Sequence, residues 1–292
     1  MSSYLKTYGS QVGSKHRLVT KILPLIPPHV TYIEPFGGTG VVLVAKPPSP
    51  VEIYNDRDSN TAGFVRLLRN QDLARTLVHW LNNTIYSRQV CNEKTAWLKE
   101  NFPPIDIVHF DNYWKELYWC YNFYCAKKMS FSEQLGKGFG FTKQNNQVQK
   151  FRSSIENLLP FAERIKDVIV FNESYEIFFT EEYDNSDVFL YLDPPYVPET
   201  RKSEEYSFEM STDDHKALVE RLLKSKALIM LSGYPSDLYK PLKEQGWYRI
   251  DITFTSALAG RTNSSNLQGE GAVKKNQARI ETIWMNYDPF CT

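Results

Sequence analysis

An aspartate, two prolines and a tyrosine follow an apolar run in the second half of the chain. Asp193, Pro194, Pro195 and Tyr196 come directly after Val188–Leu192. The prolines fix φ and remove two N–H donors, so the turn offers acceptors, namely the Asp193 carboxylate and the Pro194 carbonyl. With an aromatic ring beside them, these acceptors suit a planar substrate that carries an amino group. The four residues are the candidate catalytic motif.

The amino group of adenine is a poor nucleophile because its lone pair is delocalised into the ring. Two acceptors that hold its hydrogens favour a pyramidal nitrogen whose lone pair can point at a methyl sulfonium. They also stabilise the positive charge that develops on nitrogen. Tyr196 can stack on the base. The structural alternative is a proline-rich turn with a capping aspartate, which the preceding buried strand disfavours.

A glycine-rich turn follows the first predicted strand, Val30–Ile33. It reads Glu34-Pro35-Phe36-Gly37-Gly38-Thr39-Gly40, and such glycines let the backbone turn tightly and approach a ligand ahead of a helix. No Gly-Lys-Ser/Thr follows, and the third glycine of a dinucleotide fingerprint is absent. By itself the segment fits a plain strand-to-helix turn and a ligand-binding turn equally well.

Asp56 closes the second predicted strand, Val51–Tyr54. An acid about 20 residues beyond a glycine turn can accept hydrogen bonds from ribose hydroxyls. The alternative is a helix N-cap, a role that Asp56 or Asp58 would fill equally well. Together with the glycine turn, Asp56 favours a nucleoside ligand that needs no pyrophosphate cradle, and S-adenosylmethionine fits that description.

These residues need a scaffold, and apolar strands separated by helices predict βαβ units around a parallel sheet, which is a doubly wound α/β fold. Ligands in such sheets bind beyond the carboxyl ends of the strands. Two helices are predicted at Ser59–Leu68 and Asp213–Leu223, the second with Ser211 or Thr212 as its N-cap. The remaining predicted strands are Val168–Phe171, Ala227–Leu231, Tyr248–Phe254 and Arg279–Met285.

Residues 73–159 do not follow this alternation of strands and helices, because they hold few β-branched runs and many aromatic residues. We expect a mostly helical inserted region there, with residues 1–72 and 160–292 forming the catalytic domain. Within the insertion, residues 127–152 are basic and rich in glycine, with six Lys or Arg residues against the single acid Glu133.

In the order of its motifs the chain resembles the Dam-like adenine-specific DNA methyltransferases. Asp193–Tyr196 matches that family's catalytic motif. The other residues that carry the resemblance are Tyr8 and Lys15 in the N-terminal cofactor motif, Glu34, Phe36, Gly37, Gly38 and Gly40 in the cofactor turn, Asp56 as the ribose acid, and Ser174 and Tyr175 in a segment, Phe171–Tyr175, that packs on the cofactor adenine. Two departures are Ser14, where a glycine is usual before Lys15, and Ser174, where relatives often carry aspartate.

The resemblance implies a Rossmann-like methyltransferase fold, S-adenosylmethionine as cofactor, and methyl transfer to an adenine flipped out of double-stranded DNA. It places target recognition in the inserted region, where Gln144–Gln147 could reach base edges. A second candidate DNA segment is 259–276. The predicted phosphate contacts are Lys137, Lys143, Lys150, Arg152, Arg261 and Lys274. For any one of these residues, a solvated surface position is the plain alternative.

The composition limits the other functional classes. Lys+Arg and Asp+Glu are equal at 34 each, so DNA contact requires a local basic surface. The 4 cysteines and 5 histidines show no metal-ligand spacing, and no run of 18 apolar residues occurs. We therefore expect a cytoplasmic monomer without metal or membrane, located at the nucleoid, or in host cytoplasm if the source is viral. The sequence does not indicate whether a partner restriction endonuclease exists.

Two rival functions stay open at this point. The first is an amino-methyltransferase that acts on cytosine N4 or on RNA, since both substrates present an aromatic amine. Aspartate rather than serine at position 193 disfavours cytosine. The second is a catalytically inactive DNA-binding relative, which the intact Asp193–Tyr196 motif disfavours.

Overall fold

The computed structural model describes residues 4–9, 15–101, 112–142, 145–200, 208–255 and 278–291. Their central feature is a seven-stranded sheet with the order β3-β2-β1-β4-β5-β7-β6. Each strand predicted from the sequence is found, with bounds that move by at most two residues. The strands are β1 (Thr31–Glu34), β2 (Val51–Asn55), β3 (Ile169–Phe171), β4 (Val188–Leu192), β5 (Leu228–Gly233), β6 (Tyr248–Thr255) and β7 (Ala278–Met285).

Strands β1 to β5 are parallel to one another. The strand order reverses at β1, with β2 and β3 on one side of it and β4 and β5 on the other. Strand β1 pairs with β2 on one side, where Ile33 is opposite Ile53, and with β4 on the other, where Ile33 is opposite Leu190. Such a reversal leaves a crevice beyond the carboxyl ends of the two central strands, which is the usual ligand site in open α/β sheets. Glu34 ends β1, and Asp193 directly follows β4, so both residues lie at this crevice.

The prediction of a parallel sheet is wrong at one edge. Strand β7 lies between β5 and β6 and runs antiparallel to both. The physical reason is visible in the sequence, since β4 and β5 are continuous apolar runs of the kind buried in parallel sheets. The edge strand β6 instead alternates apolar and polar residues from Tyr248 to Thr255, as antiparallel strands commonly do. The sheet is therefore mixed.

Alternation along the strands divides the core into two layers. Tyr32 of β1 and Phe189 of β4 belong to one hydrophobic cluster, whereas Ile33 and Leu190 belong to the other. Helices cover both faces, as expected for a doubly wound sheet. The α-helices are α1 (Val19–Ile22), α2 (Val41–Ala45), α3 (Ser59–Arg69), α4 (Gln71–Asn82), α5 (Arg88–Glu100), α6 (Tyr113–Met129), α7 (Gln147–Glu156), α8 (Leu158–Ile165), α9 (Thr212–Lys224) and α10 (Lys240–Glu244).

The described part of residues 73–159 is mostly helical. Helix α5 packs on α6, and α4 packs on both α6 and α8. Side chains of these helices, such as Leu77 and Cys120, join the same hydrophobic cluster as Tyr54 of the sheet. The helices therefore join the core on one face of the sheet by packing on α3 and α8, while the division at residues 73 and 159 stays a prediction.

Candidate active site

A cavity of about 380 Å³ opens beyond the carboxyl ends of β1, β2 and β4. That volume lies within the range of small-molecule binding sites. The predicted cofactor and catalytic residues that line it are Lys15, Glu34, Phe36, Gly37, Gly38, Asp56, Ser174, Tyr175, Asp193 and Pro195. Residues separated widely in the sequence are thus brought to one site, as the strand-end argument predicts.

The glycine turn is held against β2 by a backbone approach that only glycine permits. A Cβ atom at Gly37 would lie 2.2 Å from the ring of Tyr54, and Gly40 has a φ of +68°. The hydroxyls of Tyr8 and Tyr54 both donate to the carbonyl of Gly38, at 3.2 and 2.6 Å. Tyr8 is not among the residues lining the cavity, so it supports the turn from behind.

Of the two acids that the sequence offered as a helix N-cap, Asp58 has that role. Asp58 caps helix α3, since its carboxylate accepts from the backbone N–H of Asn60. Asp56 lines the cavity, and its carboxylate accepts from the backbone N–H groups of Gly38 at 2.7 Å and Asp58 at 2.8 Å. Burial, with the charge of Asp58 second, raises the pKa of Asp56 to about 7.

A residue that the sequence reasoning missed connects two walls of the cavity. The buried Asn55 side chain donates to the carbonyls of Pro35 and Glu173, at 2.8 and 3.1 Å, and accepts from the N–H of Glu173 at 2.9 Å. It thereby ties the turn after β1 to the loop after β3. In the sequence, Asn55 is only a polar residue at the carboxyl end of an apolar strand. That position alone does not show whether its side chain connects two loops or caps the following helix.

The loop after β3 contributes an aromatic wall. The rings of Phe36 and Tyr175 lie 5.2 Å apart, tilted by 33°, and both line the cavity. The hydroxyl of Ser174 donates to the carboxylate of Glu176, and Ser174 also lines the cavity. This arrangement offers apolar ring faces beside polar groups, which suits a purine base.

Glu34 lies at the floor of the cavity and is 3% exposed. Its Oε2 accepts from the Tyr32 hydroxyl at 2.9 Å and from the backbone N–H of Leu43 at 3.1 Å. Burial raises the pKa of Glu34 to about 8, because the two hydrogen bonds only partly offset the loss of water around the charged form.

Asp193 is paired with a lysine from the first described helical turn, Lys15–Arg17. The distance from Lys15 Nζ to Asp193 Oδ1 is 2.6 Å, and the same Nζ donates to the Tyr196 hydroxyl at 2.8 Å. Lys15 Nζ also lies 3.0 Å from Oε1 of Glu281. Burial raises the pKa of Asp193 to about 6, which Lys15 opposes and Glu281 reinforces. Lys15, predicted as a cofactor residue, thus directly contacts the catalytic motif.

Glu281 is a second charged residue that the sequence reasoning missed. It lies on β7 with no solvent exposure and accepts from the Ser232 hydroxyl at 2.7 Å. Its signal was available, because alternation along β7 places residue 281 on the same face as Ile283 and Met285. A charge on a buried face calls for a partner, but the pattern does not reveal which one.

The rest of the predicted catalytic motif is largely buried. Pro194 is buried, Pro195 lines the cavity, and Tyr196 is 8% exposed. The Tyr196 ring stacks on Tyr234, with centroids 4.1 Å apart. One face of the predicted stacking platform is therefore already covered by this chain, and Tyr196 does not line the cavity.

The predicted DNA-contacting residues fall into two groups. Lys137, Lys150 and Arg152 are exposed, the first in a tight loop and the others on α7. The loop closes by a hydrogen bond from the N–H of Phe131 to the carbonyl of Gly138, at 2.8 Å. Outside the described residues lie Lys143, Gln144, Arg261, Lys274 and all of segment 259–276.

The described residues form neither a metal site nor a membrane-spanning helix. Within the described ranges no group of three or more His, Cys, Asp or Glu side chains has the arrangement of a metal site. Among the helices of the described chain, none is both long and apolar enough to span a membrane.

The sheet order and the cavity define a Rossmann-like methyltransferase fold. The chain belongs to the D12 class N6 adenine-specific DNA methyltransferase family, whose sequence pattern it matches over residues 12–256. It is also similar to Modification methylase StsI of Streptococcus sanguinis, with 26% identity over 204 residues. The match covers 66% of this chain and 29% of that relative, so the chain spans less than a third of its length.

Proposed function

We propose that this protein transfers a methyl group from S-adenosylmethionine to the N6 amine of an adenine flipped out of double-stranded DNA. The observation that carries the proposal is the position of Asp193, which lines the same cavity as the glycine turn and Asp56. An amine acceptor and a nucleoside-binding turn then face one enclosed space, as direct transfer between two bound molecules requires.

The cavity fits the proposed cofactor in three respects. Asp56 can accept from ribose hydroxyls, Phe36 and Tyr175 can flank the adenine ring, and the ionised Asp193 favours a cationic ligand. When bound, S-adenosylmethionine supplies an activated methyl group on a sulfonium. The residues of this chain bind and orient it.

Asp193 is the group that acts on the target amine. Its Oδ1 is engaged by Lys15, whereas no residue of the described chain hydrogen-bonds its Oδ2, and the side chain is 20% exposed towards the cavity. The free oxygen and the Pro194 carbonyl can hold the two amine hydrogens. As the nitrogen bonds to the methyl group, the methyl–sulfur bond would break and its electron pair would remain on sulfur, leaving a neutral thioether. The nitrogen becomes positively charged, and the ionised Asp193 stabilises that charge and can accept the proton released afterwards.

DNA is held through exposed cations outside the cavity. Lys137, Lys150 and Arg152 are available for phosphate contacts, which supply most of the sequence-independent affinity. Because the N6 amine is not accessible to in-line attack within the base stack, the adenine has to leave the duplex. We propose a monomer as the active form, because the glycine turn, Asp56 and Asp193 of one chain already meet at one cavity.

Mass spectrometry of nucleosides after incubation with S-adenosylmethionine and duplex DNA tests the proposal. We expect N6-methyladenine, and its loss in Asp193→Ala. Methylation of cytosine, or of RNA in preference to DNA, would contradict the substrate. The absence of methylation on DNA fragments of diverse sequence, by a folded protein that binds DNA, would contradict the activity.

A further inference from the structure

We propose that Glu281 is a positioning residue for the methyl transfer, which shares Lys15 with Asp193 and so keeps Asp193 a strong acceptor. This inference rests on the proposed function, since it concerns how Asp193 meets the target amine. Glu281 does not line the cavity, so it acts through Lys15 and Tyr196 and not by touching the substrate.

Lys15, Asp193, Tyr196, Ser232 and Glu281 form a connected group of contacts. Lys15 Nζ lies 2.6 Å from Asp193 Oδ1 and 3.0 Å from Glu281 Oε1. The Tyr196 hydroxyl accepts from Lys15 at 2.8 Å and lies 3.3 Å from Glu281 Oε2, to which it donates. Ser232 fixes the other oxygen of Glu281 at 2.7 Å. Two strands and the N-terminal turn thus hold one ammonium between two carboxylates.

The charges of this group do not cancel. Lys15 carries one positive charge, and Asp193 and Glu281 each carry a negative charge when ionised, which leaves an excess of one negative charge. Lys15 is 3% exposed and Glu281 is fully buried, so water screens the group weakly. Without Glu281, the ammonium would neutralise Asp193 alone. With Glu281 present, the ammonium of Lys15 interacts with both carboxylates. Asp193 is then only partly neutralised, and it still attracts the positive charge that develops on the target amine.

Asp193 is surrounded by further titratable groups, which an experiment has to keep constant. Besides Lys15, Glu281 and Tyr196, the groups that interact with its charge are Glu34, Tyr191 and Tyr239. Burial raises the pKa of Asp193 most, Lys15 lowers it, and Glu281 raises it. Replacing Glu281 with a neutral residue of the same shape therefore moves the ionisation of Asp193 to lower pH.

The variant Glu281→Gln tests this assignment, because it keeps the shape and removes the charge. We expect single-turnover methylation to fall about tenfold or more at the pH optimum, as when a preorganised electrostatic group is lost. Cofactor and DNA affinities should stay within about threefold, since Asp56 and the exposed cations are untouched. The acidic limb of the pH–rate profile should move to lower pH. Wild-type turnover with an unmoved limb would overturn the proposal.

A matched control separates charge coupling from the loss of a buried ion pair. Glu52 is also buried and ion-paired, with Lys46 and Arg164, but it does not line the cavity. Glu52→Gln should lower stability without moving the acidic limb. A movement of the limb equal to that in Glu281→Gln would refute a specific role for Glu281. Glu281→Asp keeps the carboxylate but withdraws it from Lys15, so its acidic limb should lie between those of the wild type and Glu281→Gln. If Glu281→Gln does not fold, Glu281→Asp takes its place in the experiment.

A direct titration keeps this inference separate from the proposed function. Carboxyl-carbon NMR of Asp193, assigned with Asp193→Asn, follows its ionisation without any turnover. We expect ionisation at lower pH in Glu281→Gln than in the wild type. If the wild type methylates DNA but the Asp193 titration is identical in both proteins, the inference fails while the function stands. If the wild type is inactive but the titration moves, the function fails and the coupling stands.

Discussion

Replacement of Asp56 by asparagine should weaken S-adenosylmethionine binding, and the contacts of Asp56 set the expected size of the loss. Asparagine keeps the size of the side chain and one acceptor oxygen but loses the charge. The two carboxylate oxygens of Asp56 accept from the N–H groups of Gly38 and Asp58, so the amide of asparagine would face one of these donors. The variant therefore loses charge-assisted ribose contacts and loosens the turn as well.

Hydrogen bonds to charged groups contribute about 1.5–3 kcal/mol, so affinity should fall by about 10- to 100-fold. The pH dependence gives a second signature. In the proposed complex, ribose hydroxyls would donate to the ionised carboxylate, and the pKa of Asp56 is raised to about 7, mainly by its burial. Wild-type affinity should therefore increase as pH rises from 6 to 8, and Asp56→Asn should lose that part of the increase. Comparing the two proteins cancels the titration of the ligand's own amino group.

Calorimetric titration of both proteins at several pH values provides the assay, with Asp58→Asn as matched control. Asp58 also lines the cavity, and asparagine caps a helix as well as aspartate does. Its replacement should change affinity less than threefold. Unchanged affinity in Asp56→Asn, or a larger loss in Asp58→Asn, would refute the assignment of Asp56 to the ribose.

Three further predictions follow from the site and the surface. Asp193→Ala should reduce single-turnover methylation by about 10²–10³ while DNA affinity stays similar; retention of half the wild-type rate would make the turn structural. Replacing Lys150 and Arg152 with alanine should flatten the log–log salt dependence of DNA binding by nearly one unit per lost contact, and an unchanged slope would show a merely solvated surface. For Glu34, burial raises the pKa from 4.5 to about 8, so its stabilising contribution is complete below 4.5 and is lost as pH rises through 8. Between pH 5 and pH 8 the wild type should lose about 3.5 kcal/mol of unfolding free energy relative to Glu34→Gln, measured by urea denaturation; equal losses in both proteins would contradict the buried charge.

The sequence predicted the fold well because its strongest signals are local. Continuous apolar runs such as Val188–Leu192 identify buried strands, and Ser211 caps α9 through a capping box, as one of the two predicted candidates. The strand-end rule then placed Glu34, Asp56 and Asp193 at one edge without any knowledge of distances. The direction of β7 was missed because the chain was treated as a uniform series of βαβ units.

The site was predicted less completely, because several of its contacts join residues far apart in the sequence. Lys15 was assigned to the cofactor by resemblance, but its pairing with Asp193 depends on where the N-terminal turn packs. Nothing local in β7 shows that Glu281 meets the same ammonium. Likewise, the role of Tyr8 behind the glycine turn follows from the positions of Phe64 and Phe161, on which its ring packs.

The charge group around Lys15 also has a consequence for the order in which the protein is made. Lys15 belongs to the first described helical turn and Glu281 to the last strand, so a growing chain holds Lys15 and Asp193 long before β7 emerges from the ribosome. A second contact also joins an early residue to a late one: the Tyr287 hydroxyl donates to the carbonyl of Leu25 at 2.8 Å. Closing so long a loop is slow, so this charge group should be completed only after β7 has been synthesised. On the proposed function, a nascent chain would therefore be unable to methylate DNA before β7 has emerged and paired.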